Sequence, residues 1–226
     1  MASLMRHSNG SLFDSLAESY DAWFEEDGKR IFAIEVRAFQ EVLTLLPKPW
    51  LEVGVGSGRF AQALGIETGI DPSAKLLKMA KNRGLTVFRA GGEEQFFNKE
   101  NFGTVFLIVT LCFVDSPIVV LREAHRILKP EGNIVLGLVL RESSWGKSYQ
   151  IKKLEGHRFY KHATFYSYQE VERFLMDSGF NIEKVVSTLF QKPGEVKEME
   201  PPKKGFSIDA GFTVIVAGKI LYPKER

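Results

Sequence analysis

From Trp50 onward, short apolar runs alternate with amphipathic segments, and this alternation is the strongest constraint that the sequence places on its fold. Five predicted strands are separated by helical patterns, which is typical of a parallel sheet with crossover helices. Two later runs, "NIEKVVSTLF" and "AGFTVIVAGKI", predict a terminal antiparallel strand pair. We therefore predict an α/β fold with a seven-stranded, mostly parallel sheet and helices on both faces.

Composition and charge exclude several classes of function. The chain has 30 basic and 28 acidic residues, so its net charge of +2 gives no reason to expect a nucleic-acid partner. Its longest apolar run, residues 105–114, is too short for a bilayer span, which needs about 20 residues. No signal peptide is visible, and the single cysteine, Cys112, cannot form an intramolecular disulfide. We expect a cytoplasmic protein without a membrane span and predict no metal site.

A glycine turn, "LEVGVGSGRF", follows the first predicted strand and precedes a helix. Ligands of open α/β sheets bind beyond the carboxyl ends of the strands, so this turn marks the binding edge. The dinucleotide fingerprint needs a glycine at position 59, where this chain has arginine, and no glycine–lysine–Ser/Thr follows the turn. The turn therefore matches neither of two common phosphate-binding motifs.

Two carboxylates near the turn indicate a different ligand. Glu52 precedes the glycines, where it would disfavour a diphosphate and favour a cation, unless it is a solvated turn carboxylate. Asp71 ends the second strand, where an acid accepts hydrogen bonds from both ribose hydroxyls; the alternative is a cap for the next helix. The pattern favours a nucleoside that carries a cationic amino group and no pyrophosphate.

These segments resemble the class I S-adenosylmethionine-dependent methyltransferases, particularly the small-molecule, methyltransferase-11-like type. The glycine turn, "GIDPS", "EEQFF" and "RILKPEG" occur in the familiar order between residues 51 and 137, and a weaker likeness continues through "FYSYQEVERFLMDSGF". The resemblance implies a Rossmann-like fold, methyl transfer and S-adenosylmethionine as cofactor. The pattern along the chain itself predicts a single domain with a helical N-terminal cap (1–47), a cofactor-binding core (48–140) and a lid helix with terminal strands (141–226).

The resemblance further implies roles for residues around the glycine turn. Gly54, Gly56 and Gly58 would lie under the methionine portion and the sugar of the cofactor. Glu52 would lie near the amino group, and Asp71 would take the ribose hydroxyls.

The adenine contacts implied by the resemblance are less complete. Pro72 would lie against the adenine, Gly92 and Glu93 would meet its edge, and Leu107 would supply a main-chain contact after the fourth strand. Many relatives have an acidic residue near position 91, but this chain reads "AGGEE". Glu93, Glu94 or the main chain would take that role.

The acceptor and the catalytic residues are poorly specified by the sequence. Candidate acceptor-binding residues are aromatic or histidine side chains in the prefix, after the fourth strand and in the predicted lid: Tyr20, Trp23, Phe113, His157 and Tyr160. Each aromatic residue has an ordinary core interpretation of equal weight, and His157 fits a solvated position better than a general base. We expect a small, partly apolar acceptor; the alternatives are a macromolecular acceptor and, less favoured, an NAD-dependent oxidoreductase.

Overall fold

The computed structural model describes residues 8–220, with side chains from residue 13 onward. Two helices precede the sheet, α1 (Ser8–Trp23) and α2 (Lys29–Leu43). The alternating part comprises β1 (Trp50–Val53), α3 (Arg59–Leu64), β2 (Thr68–Asp71), α4 (Ala74–Asn82), β3 (Thr86–Arg89), β4 (Phe102–Ile108), α5 (Pro117–Ile127) and β5 (Leu128–Leu138). The remainder comprises α6 (Ser144–Leu154), α7 (Tyr168–Asp177), β6 (Phe180–Thr188), β7 (Lys203–Lys204) and β8 (Phe212–Lys219). None of these helices is long and apolar enough to cross a membrane.

The strands form one sheet in the order β3-β2-β1-β4-β5-β8-β6-β7. Strands β1 to β5 pair in parallel, whereas β8 is antiparallel to both β5 and β6. The strand order reverses direction between β1 and β4, and this switch point is where open α/β sheets bind ligands. The predicted α/β, Rossmann-like fold with a terminal antiparallel pair is confirmed.

The predicted count of seven strands is wrong, because residues 8–220 already form a sheet of eight. The additional strand, β7, lies between the two predicted terminal strands and pairs with Val186 and Ser187 at the sheet edge. Both of its residues are exposed lysines, which give no apolar alternation to detect. Charged side chains at an edge also hinder further strand addition.

Several helices begin at a capping serine, and at most of these the serine side chain accepts a main-chain hydrogen bond. Ser73 accepts a hydrogen bond from the Leu76 N–H at 3.2 Å, and Ser167 and Glu170 form a capping box at the start of α7. Among the described residues Ser116 makes no side-chain cap bond, and α5 begins at the following proline. Helices α2 and α3 pack on one face of the sheet, and α5 and α7 on the other.

Candidate functional site

The glycine turn between β1 and α3 adopts main-chain conformations that residues with a side chain rarely adopt. Gly54, Gly56 and Gly58 all have positive φ, at 74°, 52° and 83°. A Cβ at Gly54 would lie 2.4 Å from the Thr110 hydroxyl, and one at Gly58 would lie 3.0 Å from Ala80 on α4. Gly54 and Gly56 line a cavity, whereas Gly58, the N-cap of α3, lies against Ala80 of α4.

The cavity has a volume of about 300 Å³ and lies beyond the carboxyl ends of β1, β2 and β4. This volume is at the lower end of the range for small-molecule sites. Most of the residues predicted to contact cofactor or acceptor are on its wall: Gly54, Gly56, Asp71, Pro72, Gly92, Glu93, Tyr20 and Phe113. The structure therefore brings these residues together, although they come from separate segments of the chain.

Asp71 stabilises the glycine turn from the end of β2. Its Oδ2 accepts a hydrogen bond from the Gly56 N–H at 3.0 Å, and its Oδ1 accepts one from the Ser73 N–H at 2.8 Å. Burial raises the pKa of this carboxyl to about 6, and the two main-chain bonds oppose that shift. Because each carboxylate oxygen has a further lone pair, Asp71 can bind ligand hydroxyls while it stabilises the turn.

Glu52 lies under the turn and is 2% exposed, so its interpretation as a solvated carboxylate is wrong. Its Oε2 has no hydrogen-bond partner among the described residues. Burial and the nearby Asp71 carboxylate raise the pKa of Glu52 well above its usual value, and a main-chain bond from Ala61 opposes them. An unpaired buried carboxyl oxygen at this position fits a ligand that brings a cation or a hydrogen-bond donor.

Leu107 is not on the cavity wall. It lies inside β4, opposite Leu136 of β5, and its side chain is fully buried in the core. The fourth strand extends one residue beyond Leu107, so Ile108, Val109 and Thr110 line the cavity instead. The expectation that Leu107 follows the fourth strand is therefore wrong.

Two glutamates shape the edge of the cavity that follows β3. Glu93 accepts a hydrogen bond from the Asp115 N–H at 3.2 Å, and Glu94 accepts one from the Gly91 N–H at 2.9 Å. Both side chains line the cavity, and each accepts a hydrogen bond from a main-chain N–H group. Either glutamate therefore stays available for the adenine edge.

Helix α1 covers the cavity and is fixed at two points. Asp14 accepts hydrogen bonds from the Ser73 hydroxyl at 2.6 Å and the Lys75 N–H at 2.9 Å. Asp21 forms ion pairs with Arg59 and Arg83, each at 2.8 Å. The helical pattern predicted α1, but it gave no sign that acids on this helix join it to α3 and α4.

A second, smaller cavity of about 30 Å³ adjoins the first. Val109 and Phe113 line both cavities, so the two meet beyond the end of β4. Tyr149 of α6 and Tyr160 stack face to face in its wall, with ring centroids 4.2 Å apart. The remaining wall residues carry no charge: Cys112, Leu138, Val139, Leu140, Ala163, Thr164, Phe165, Tyr166 and Val171.

Two predicted acceptor residues line neither cavity. Trp23 packs against Gly28, where a Cβ would lie 2.3 Å from the indole, and against Phe24. His157 stacks on Tyr160 from outside the second cavity, with ring centroids 4.7 Å apart. Burial, Lys152 and Arg158 lower the pKa of His157.

The charge of the first cavity selects its ligand. Its described lining contains four acids, Asp71, Glu93, Glu94 and Asp115, and no basic side chain. A diphosphate would meet only negative charge there, whereas a sulfonium with an amino group would be attracted. A Cβ added at Gly56 would lie 3.6 Å from the Tyr20 ring. The glycine therefore leaves a space between its main chain and that ring. The unpaired Glu52, the acids and this space fit S-adenosylmethionine.

Comparisons with known proteins agree with this geometry. A model of the methyltransferase domain matches residues 51–136. An uncharacterized protein of Mycobacterium tuberculosis is 39% identical over 203 residues, which are 89% of this chain and 71% of that protein. An uncharacterized protein of Methanocaldococcus jannaschii is 38% identical over 211 residues, 93% of this chain and the whole of that protein.

A solved structure from Thermotoga maritima provides the functional comparison. It is a SAM-dependent methyltransferase, named as a possible histamine N-methyltransferase, and is 36% identical to this chain with a TM-score of 0.85. The match covers 93% of this chain and 99% of the Thermotoga chain. This chain therefore belongs to the class I S-adenosylmethionine-dependent methyltransferases, and S-adenosylmethionine is its cofactor.

Proposed function

We propose that this enzyme methylates a small, partly apolar acceptor that occupies the second cavity. The observation that supports this proposal is the junction of the two cavities at Val109 and Phe113. A cofactor in the acidic cavity and an acceptor in the aromatic one would meet there. In-line displacement requires the acceptor atom, the methyl carbon and the sulfur to be aligned, and orientation contributes up to about 7–11 kcal/mol in favourable systems.

The cofactor-binding roles follow from the placement of the acids and glycines. Asp71 would accept hydrogen bonds from the ribose hydroxyls, and Glu52 would pair with the amino group through its unpaired oxygen. Gly54 and Gly56 would leave room for the methionine portion of the cofactor. S-adenosylmethionine supplies the activated methyl group, so the protein has to bind, align and exclude water.

The other residues of the two cavities position the adenine and the acceptor. Pro72, Gly92 and Glu93 would contact the adenine. Tyr20 and Phe113 would separate the reacting centre from solvent, and both belong to the first cavity wall.

The size of the second cavity limits the acceptor. At about 30 Å³ it holds a head group of a few atoms, so a larger acceptor requires wall side chains to move. Tyr149 and Tyr160 lie on α6 and in the segment after it, a region with a short 3₁₀ turn rather than sheet. Movement of this segment would enlarge the cavity without altering the glycine turn.

The name of the Thermotoga protein, a possible histamine N-methyltransferase, supports a small acceptor, because histamine is a small amine. A macromolecular acceptor is the second candidate. The near-neutral net charge of +2 gives RNA no general attraction. A nicotinamide dinucleotide is disfavoured by the four acids on the wall of the first cavity.

Two measurements test this function in sequence. Calorimetric titration with S-adenosylhomocysteine and with NAD should give binding for the first compound and none for the second. Methyl transfer from labelled S-adenosylmethionine should then occur with members of a panel of small amines, alcohols and phenols. Transfer to RNA or protein but to no small acceptor would overturn the proposed acceptor class, and NAD binding alone would overturn the site.

A further inference from the structure

Val109 adopts a main-chain conformation that its own side chain disfavours. Its φ is 52°, in the left-handed region, where a β-branched residue is an outlier because its side chain crowds the main chain. Glu100 and Leu189 are the other described non-glycine residues with a positive φ, at 55° and 62°. Such strain persists only where the surrounding structure imposes it, and it is concentrated at ligand-binding sites.

Hydrogen bonds on both sides of Val109 hold this conformation. Val109 directly follows β4, and its N–H donates to the Gly137 carbonyl of β5 at 2.9 Å. Its own carbonyl accepts a bond from the Cys112 thiol at 3.5 Å. The hydroxyl of the next residue, Thr110, donates to the Ile108 carbonyl at 3.0 Å. The main chain of Val109 is therefore fixed both to the sheet and to the turn that follows it.

Of the three strained residues, Val109 is the one that lies at the candidate site. It lines both cavities, and Phe113 is the other described residue that the two walls share. Leu189 is buried in the core and Glu100 is exposed, and neither is on the wall of either cavity. Glycine would adopt the same φ without strain, so the valine side chain is the part of the residue that a role at this site requires.

The segment that carries Val109 runs beside the glycine turn. A Cβ added at Gly54 would lie 2.4 Å from the Thr110 hydroxyl, so the residue after Val109 packs directly on this turn. The glycines of the turn are expected to lie under the methionine portion of the cofactor, which carries the methyl group. An isopropyl group has no charge and makes no hydrogen bond, so Val109 can act on that methyl group only by packing against it.

We propose that Val109 is a positioning residue for methyl transfer, and that its strained main chain directs the isopropyl group against the methyl group of bound S-adenosylmethionine. This inference rests on the proposed function and adds the residue that fixes the reacting group. A β-branched side chain has few rotamers, so it would form a stiff wall on one side of the methyl group. In-line transfer depends on this alignment, because a loosely held methyl group meets the acceptor in a productive orientation less often.

Nuclear magnetic resonance tests this contact without an acceptor. Deuterated protein with protonated valine methyl groups is saturated with S-adenosylmethionine that is isotopically labelled in its transferable methyl group. A nuclear Overhauser effect should connect that group with the methyl signals of Val109, which are assigned by their loss in Val109→Ala. Saturation with no such effect at Val109, or with effects at other valines only, would overturn the inference.

Matched variants separate the side chain from the strain. Val109→Gly removes both and should fold, because glycine adopts this φ freely. It should broaden the signal of the bound methyl group, yet bind S-adenosylhomocysteine as the wild type does, since that compound lacks the methyl group. Val109→Thr keeps the β-branched shape and should restore a sharp signal. Glu100→Gly releases strain at a nearly equal φ on an exposed residue and should leave the signal unchanged.

The outcomes distinguish this inference from the proposed function. An unchanged methyl signal in Val109→Gly would contradict positioning by Val109, and so would equal broadening in Val109→Thr or in Glu100→Gly. Failure of the wild type to bind S-adenosylmethionine would instead overturn the cofactor site.

Discussion

The two cavities are built from different parts of the chain and by different means. The cofactor cavity uses mainly residues 53–115, with glycines that expose main chain and acids that bond to it. The second cavity draws its wall from residues 109–171 and uses side chains almost entirely, with Tyr149 on α6 and Val171 on α7. The first cavity can therefore be predicted from the spacing of residues along one segment. The second cavity forms only when separate segments pack together.

The charges of the two cavities differ in the same way. Four acids line the first, and the wall of the second has no charged side chain. Glu35, a buried acid of α2, is on the wall of neither cavity.

The largest expected effect is at the glycine turn. Gly56→Val should abolish binding of S-adenosylhomocysteine, because the side chain would occupy the space between Gly56 and Tyr20. Gly65→Val is the matched control: its φ of 73° imposes the same left-handed strain, but no atom lies within 4 Å of the new Cβ. Calorimetry on both folded variants makes the comparison. Retained binding in Gly56→Val would mean that the turn has only a structural role. It would contradict the claim that the first cavity binds its ligand through exposed main chain.

A smaller loss is expected at the ribose-binding acid. Asp71→Ala should weaken S-adenosylhomocysteine binding by about one to two orders of magnitude, through loss of charged hydrogen bonds. Asp71→Asn, which keeps one acceptor oxygen, should lose less affinity. Asp177→Ala, at an exposed position, should leave the affinity unchanged. Affinity equal to wild type in a folded Asp71→Ala protein would remove this residue from the site.

The sequence predicted the first cavity well because its determinants are local. Gly54, Gly56 and Asp71 are identified by spacing along one β-α-β segment. Leu107 was misplaced because its role came from the family resemblance, whereas in this fold it lies inside β4 and pairs with β5. The strand β7 was missed because two exposed lysines carry no alternation.

The acids that depend on tertiary packing could not be predicted in this way. Glu35 is one of several glutamates in helical patterns, and its burial follows from how α2 packs on the sheet. Asp21 has the same sequence signature as an exposed helical acid, yet it joins three helices. Neither residue type nor spacing distinguishes them, because both properties arise between segments that are distant in sequence.

The ionisation of Glu35 gives a measurable pH dependence. Its folded pKa of about 8 lies above its usual 4.5, so the folded protein binds the extra proton between these values. The free energy of unfolding of the wild type should therefore fall, relative to Glu35→Gln, as pH rises from about 4.5 to 8, by up to about 1.4 kcal/mol per pH unit. Denaturant unfolding of both proteins from pH 5 to 9 measures this slope. Since Glu52 is present in both, its own contribution cancels, and parallel curves would contradict a buried, unpaired Glu35.

The smallest expected effect concerns the helix that covers the cofactor. Burial tends to raise the pKa of Asp21, but hydrogen bonds from Arg59 and Arg83 outweigh it and hold that pKa well below its usual range. Asp21→Asn should weaken both ion pairs, loosen α1 and speed dissociation of S-adenosylhomocysteine severalfold, with a stability loss of about 1 kcal/mol or less. Because Asp21 is stabilised as the carboxylate, the wild type should lose this advantage as pH falls through the carboxyl range.

A matched variant decides whether α1 acts through this contact. Glu18 lies on the same helix and is exposed, so Glu18→Gln removes the same charge without removing an ion pair. Stopped-flow release of S-adenosylhomocysteine should be faster in Asp21→Asn and unchanged in Glu18→Gln. Equal release from all three proteins would show that the cofactor cavity is closed by packing of Phe13 and Tyr20 alone. Side-chain packing would then close the first cavity, just as it forms the wall of the second. The two cavities would differ only in the groups that contact their ligands.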